Sequence, residues 1–112
     1  MEIDERSNGG LIQLHVGDVI RLRLGENATT GFRWKLVSDG RPACVLTDDK
    51  VEAEGAPGAA GIRTWLFEAA RPASAQIELI HVRVWERTPS AFQTFTVGVR
   101  VSKPNRTTRR DA

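Results

Sequence analysis

Hydrophobic and polar residues alternate along much of the chain, and the clearest case lies between residues 19 and 24. Ile20, Leu22 and Leu24 are apolar, while Arg21 and Arg23 between them are charged. Successive side chains of a β-strand point to opposite faces of the sheet, so this period of two is typical of a strand. The segment is therefore predicted to be a strand with one buried face and one solvent-exposed face.

The same pattern recurs along the chain, with turn-forming stretches between the segments. Seven strands are predicted, over residues 11–16, 19–24, 32–36, 44–53, 62–69, 75–81 and 92–101. The fourth is weaker, and we expect a break near Asp48, Asp49 and Lys50. No stretch of ten or more residues shows the 3.6-residue period of an amphipathic helix. The predicted fold is therefore all-β, an immunoglobulin-like antiparallel β-sandwich of about seven strands.

These strands place one monomeric β-sandwich domain at residues 10–101, which suits a chain of 112 residues. Residues 1–9 are mostly polar and are predicted to form a disordered leader. Residues 102–112 are rich in Pro, Asn, Thr and Arg and are predicted to form a basic disordered tail.

Three segments stand out because turn-forming, very small or amphipathic aromatic residues follow a predicted strand. They are Asn27-Ala28-Thr29-Thr30-Gly31-Phe32, Gly58-Ala59-Ala60-Gly61 and Arg83-Val84-Trp85. If each strand runs opposite to the preceding one, the connections after the second, fourth and sixth strands share one end of the sandwich. All three segments belong to those connections, so the sequence predicts a composite surface like that of the binding loops of an immunoglobulin variable domain.

Charge and composition exclude several other classes of function. The sequence pI is about 9.2, but the excess positive charge lies in residues 102–112 and the rest of the chain is slightly acidic. This distribution favours a solvated tail and disfavours nucleic-acid binding. No run approaches the length of a membrane span, so no membrane partner is expected. No secretory signal is recognisable, which favours a cytoplasmic location, with a secreted or periplasmic mature form as the alternative.

The residues that could carry catalysis are few and scattered. Cys44 is the single cysteine, and His15 and His81 are isolated in separate predicted strands. No metal site, catalytic dyad, cofactor or small-molecule ligand can be argued from them, so an enzyme is disfavoured. Of the three tryptophans, Trp34 and Trp65 lie on apolar strand faces and are predicted to be core residues. Trp85 borders a polar loop instead.

The three segments together resemble the signatures of the chagasin family of cysteine-protease inhibitors, which are Asn-Pro-Thr-Thr-Gly-Phe, Gly-x-Gly-Gly and Arg-Pro-Trp. The order and the spacing are similar over about residues 10–101. Ala28, Ala60 and Val84 depart from the family pattern. The resemblance implies an inhibitor of papain-like cysteine proteases that needs no cofactor. It implies a protease-binding surface formed by Asn27, Thr29, Thr30, Gly31, Phe32, Gly58, Ala59, Ala60, Gly61, Arg83 and Trp85.

By the same resemblance, the loop of Thr29 enters the protease cleft over the catalytic Cys–His pair. The loop of Gly58 and Gly61 lies along the non-primed side, and Arg83 and Trp85 pack on the primed side. Two alternatives remain open. One is an immunoglobulin-like module that binds a partner other than a protease, and the other is binding of nucleic acid or an anionic surface by the basic tail.

Overall fold

The computed structural model describes residues 1–26, 32–53, 61–83 and 93–104. Strands account for most of these residues. The strands are β1 Glu2–Ile3, β2 Leu11–His15, β3 Val19–Glu26, β4 Phe32–Asp39, β5 Cys44–Ala53, β6 Gly61–Ala69, β7 Ala73–Arg83 and β8 Gln93–Ser102. A short 3-10 helix, Glu5–Ser7, lies between β1 and β2. No helix in the described ranges is long and apolar enough to cross a membrane.

The strands form two four-stranded sheets, ordered β1-β3-β6-β5 and β2-β8-β7-β4. The predicted all-β sandwich is confirmed. Neighbours are antiparallel except for β1 with β3 and β2 with β8, which are parallel. The parallel pairing of β2 with β8 follows from alternation, because the first and seventh of the predicted strands run in the same direction.

The core fills the space between the inward faces of the two sheets. In β3, Ile20, Leu22 and Leu24 are completely buried, as the alternation predicts. Trp34 and Trp65 are also buried, so their assignment to the core is confirmed. The other core side chains come from both sheets and include Leu14, Phe67, Ile77, Leu79, Phe95, Val97, Val99 and Val101.

The predicted disorder of residues 1–9 is wrong, because this segment joins the two sheets. Ile3 is buried, and β1 pairs with β3 in one sheet. Gly9 N–H donates to the carbonyl of Thr96 (2.7 Å), and Thr96 N–H donates to Asn8 Oδ1 (2.8 Å) in the other sheet. The apolar Ile3 and these two hydrogen bonds to the backbone of Thr96 give the segment a fixed position that its polar composition did not suggest.

The predicted break in the fourth strand is replaced by a bulge. Strand β5 continues from Cys44 to Ala53, with a shift in its pairing to β6 between Leu46 and Asp48. The Thr47 hydroxyl donates to the carbonyl of Leu66 (3.1 Å) at this shift. One extra residue is thus accommodated without ending the strand. At the other end of the chain, β8 extends to Ser102, and the remainder of the predicted tail from residue 105 lies outside the described residues.

Candidate functional site at the loop-bearing end of the sandwich

In the first sheet, the strands that lead into the first two unusual segments end side by side. Glu26, the last residue of β3, lies opposite Gly61, the first residue of β6. Ala53, the last residue of β5, lies opposite Gly61 on its other side. The strand ends that flank residues 27–31 and 54–60 are therefore neighbours at one end of this sheet.

The second sheet brings its own strand ends together in the same way. Phe32, the first residue of β4, lies opposite Arg83, the last residue of β7. Gln93, which begins β8, lies opposite His81 of β7. The backbone that leaves residues 27–31 is thus beside the backbone that enters residues 84–92.

Hydrogen bonds between Trp34 and β3 join these two sets of strand ends. Trp34 N–H donates to Glu26 Oε2 (2.8 Å), and the Trp34 indole Nε1–H donates to the carbonyl of Gly25 (2.9 Å). Because β3 and β4 belong to different sheets, these two bonds cross the open end of the sandwich. The strand ends that flank all three unusual segments therefore lie at one end of the molecule, as the alternation of strands predicts.

An ion pair between the buried Glu26 and the half-buried Arg63 lies next to these strand ends. Arg63 Nη1 is 3.3 Å from Glu26 Oε2 and also donates to the carbonyl of Trp34 (3.3 Å). Its Nε and Nη2 bind the two carboxylate oxygens of Asp49 at 2.7 and 2.9 Å. These hydrogen bonds to Asp49 raise the pKa of the guanidinium, which stays protonated. The guanidinium also lies over the ring of Trp65, 5.2 Å from its centroid.

The third segment is connected to this group through an aromatic pair. The His81 ring stacks on Trp34, with centroids 4.5 Å apart and planes 7° from parallel. His81 is buried and lies two residues before the end of β7. Five strands, β3 to β7, are therefore connected by side chains next to the loop-bearing end. These side chains are Glu26, Trp34, Asp49, Arg63 and His81.

The predicted site residues fall into two groups. Phe32, Gly61 and Arg83 are placed by the structure as strand ends at the loop-bearing end, and Gly61 is buried. The others lie outside the described residues and stay predictions. These are Asn27, Thr29, Thr30, Gly31, Gly58, Ala59, Ala60 and Trp85.

The residues that the structure describes provide neither a metal site nor an accessible thiol. They contain no group of three or more His, Cys, Asp or Glu side chains that could hold a metal ion. Cys44 is completely buried, and burial raises the pKa of its thiol. It begins β5, whereas the loop-bearing end is where β5 finishes. A neutral thiol remote from that end is a core residue rather than a nucleophile.

Sequence reasoning missed Glu26 and Arg63, although both continue an inward-facing pattern. Glu26 follows Ile20, Leu22 and Leu24 at the same spacing of two, and Arg63 precedes Trp65 and Phe67 in the same way. Two opposite charges on the inward faces of two strands are the signal that could have found the pair.

Residues 13–99 match the sequence family described as chagasin family peptidase inhibitor I42. The chain belongs to the chagasin family. Strands β3 to β7 lie within the matched residues, and β2 and β8 extend slightly past the two ends of the match. The comparison with curated proteins gave no match.

Several solved structures share this fold. The cysteine protease inhibitor EhICP2 from Entamoeba histolytica superimposes with a TM-score of 0.81 at 22% identity, over 90% of this chain and 94% of that one. Amebosin gives 0.68 at 24% identity, over 90% and 96%. PbICP-C, solved in complex with falcipain-2, gives 0.68 at 17% identity, over 90% and 98%. At these identities, the similarity establishes a shared sandwich fold for this chagasin-family chain.

Proposed function

We propose that this chagasin-family protein inhibits papain-like cysteine proteases by occupying the active-site cleft with the loop-bearing end of its sandwich. The observation that carries the proposal is the convergence of the strand ends that flank all three signature segments. The cross-sheet hydrogen bonds of Trp34 support it, because they hold the ends from the two sheets together. PbICP-C, a protein with the same fold, was solved in complex with falcipain-2, which also supports the proposal.

The three segments divide the cleft among them in this proposal. Thr29 is at the tip of the first loop and covers the catalytic Cys–His pair. A threonine suits a narrow slot because its side chain is short and stiff and its hydroxyl can donate one hydrogen bond. Gly58, Ala59 and Ala60 carry at most a methyl group, so in this proposal their backbone N–H and C=O groups pair with an extended segment of the protease. Gly61, which is buried between β3 and β5, lies at the base of this loop.

Arg83 and Trp85 supply the third contact, on the primed side. Tryptophan and arginine are the residues most enriched at binding hot spots, because each buries a large rigid surface and keeps a polar group. Inhibition follows from blockade, because no peptide bond is held in line for attack by the thiolate.

Three departures from the family pattern set the expected strength of inhibition. Ala28 and Val84 replace prolines, and Ala60 replaces a glycine. Loss of a fixed φ leaves more conformational entropy to be removed on binding, at a cost of roughly 0.4–1 kcal/mol per proline at a compatible site. We therefore expect weaker inhibition than a chain with the complete signatures would give.

The proposal is tested by titrating papain-type protease activity with the purified protein. We expect reversible competitive inhibition, with serine proteases and metalloproteases unaffected. A Trp85→Ala variant should inhibit less, whereas Arg71→Ala, an exposed change at the opposite end, should inhibit like the parent. A folded parent with no effect at about 10 µM, where an interface of standard size should register, would contradict the proposal. That result would favour an immunoglobulin-like module with another partner.

A further inference from the structure

Glu26 is an unusual residue for the inward face of a strand. Its side chain is 1% exposed, and it occupies the position that follows the buried Ile20, Leu22 and Leu24. Burial of a carboxylate is unfavourable unless partners satisfy it, and an apolar side chain of similar size often serves stability as well or better. The presence of Glu26 here therefore requires a reason other than core packing.

The contacts of Glu26 supply that reason, because they span the first signature loop. Glu26 is the last described residue before residues 27–31, and its Oε2 accepts the N–H of Trp34, just after them. Strand β4 is the outer strand of its sheet, so this N–H has no neighbouring strand to bond on that side. The Trp34 indole donates to Gly25 in addition. Two hydrogen bonds thus fix the separation of the loop's two ends.

Arg63 holds the carboxylate in the orientation that this contact needs. Its Nη1 lies 3.3 Å from the same Oε2 that accepts from Trp34. Its other nitrogens are held by both oxygens of Asp49 on β5, which fixes the guanidinium plane. A charged acceptor that binds two donors in a buried setting forms stronger hydrogen bonds than a neutral one.

We propose that Glu26 is a positioning residue for inhibition, which with Arg63 fixes the ends of the loop carrying Thr29 in the geometry that the protease cleft accepts. This inference rests on the proposed function. It assigns to a buried carboxylate the preorganisation that a proline at position 28 would otherwise contribute. The loop then loses less conformational entropy on binding, which strengthens inhibition without any contact from Glu26 to the protease.

The test uses Glu26→Gln, which keeps the shape of the side chain and removes its charge. We expect the inhibition constant for a papain-type protease to rise roughly tenfold, because a charge-assisted hydrogen bond is replaced by a neutral one. Glu68→Gln is the matched control, since Glu68 is exposed on the same sheet far from the loop-bearing end. Its inhibition constant should equal that of the parent.

A second control separates positioning from stability alone. Val99→Ala removes buried methyl groups from the half of β8 remote from the loop-bearing end, and it should lower the melting temperature without changing inhibition by the folded protein. In ¹⁵N relaxation, the amides of residues 27–31 should lose order in Glu26→Gln but not in Val99→Ala.

If Glu26→Gln does not fold, the same measurements are made on Arg63→Lys. A single ammonium cannot bind Glu26, Asp49 and the Trp34 carbonyl with the same geometry.

The outcomes are distinguishable from those of the proposed function. Inhibition by the parent with equal inhibition constants for Glu26→Gln and Glu68→Gln would overturn the positioning role and leave the proposed function in place. Absence of inhibition by the parent would contradict the proposed function. The relaxation data would still decide the loop-fixing role, because unchanged order at residues 27–31 in Glu26→Gln would overturn it.

Discussion

Replacement of Trp34 by phenylalanine tests whether the cross-sheet hydrogen bonds hold the loop-bearing end together. Trp34 is 5% exposed, stacks on His81 and donates its indole N–H to the carbonyl of Gly25 at 2.9 Å. Phenylalanine keeps an aromatic ring at the position but removes this donor. The link from the start of β4 to the end of β3 is then reduced to the bond between Trp34 N–H and Glu26.

The expected loss of stability has two parts. The missing hydrogen bond contributes about 1 kcal/mol. The smaller ring leaves unfilled space in a packed region, which costs about 1 kcal/mol more. Together they predict a decrease of about 2 kcal/mol in the free energy of unfolding, equivalent to a fall of about 8 °C in melting temperature for a domain of this size.

Urea and thermal unfolding of Trp34→Phe, Trp65→Phe and the parent measure this difference. Trp65 is the matched control because it is a buried tryptophan whose indole makes no hydrogen bond to the described residues. The loss of unfolding free energy in Trp65→Phe should reflect only the smaller ring and a weakened contact with Arg63. If Trp34→Phe destabilises the protein by no more than about 1 kcal/mol, the unfilled space alone explains the loss. The bond to Gly25 then contributes nothing, and the cross-sheet hydrogen bonds do not hold the loop-bearing end together as inferred here.

Four further predictions concern three loop residues and the core thiol. Trp85→Ala should weaken inhibition by about 2 kcal/mol or more, as for a hot-spot anchor, and Thr29→Ala by about 1 kcal/mol; equal inhibition constants for Trp85→Ala and the parent would make Trp85 a peripheral residue. Ala28→Pro should lower the inhibition constant with little change in melting temperature, and weaker inhibition would show that position 28 does not adopt a φ suited to proline. Because burial raises the folded-state pKa of Cys44, the unfolded thiol ionises first as pH rises above about 8.5. The stability of the parent relative to Cys44→Ala should therefore fall between pH 8 and 10, and a pH-independent difference would contradict this assignment.

The alternation of residues predicted the sandwich because one face of almost every strand is buried. The apolar positions of the alternating pattern are the buried ones, as in Ile20, Leu22 and Leu24 of β3 and in Phe95 and Val97 of β8. The direction of the strands followed from alternation, which placed the three signature segments at one end. The register of β3 against β6 and of β4 against β7 confirms that placement for the strand ends.

The elements that sequence reasoning did not predict depend on partners distant in the chain. Residues 1–9 are ordered by contacts with β3 and β8, which no local pattern shows. The predicted second strand ends at Leu24, whereas β3 continues to Glu26, whose carboxylate is buried. Its burial is possible only because Arg63, 37 residues later, lies beside it. A pairing of this kind becomes visible only when the register of two strands is known.

Titration of a papain-type protease with the parent protein, monitored by hydrolysis of a fluorogenic peptide, decides whether the loop-bearing end blocks the cleft. We expect reversible inhibition that substrate overcomes competitively. Trp85→Ala and Glu26→Gln should weaken this inhibition, and Glu68→Gln should not. Full protease activity in the presence of about 10 µM folded protein would contradict the claim that the loop-bearing end blocks the cleft.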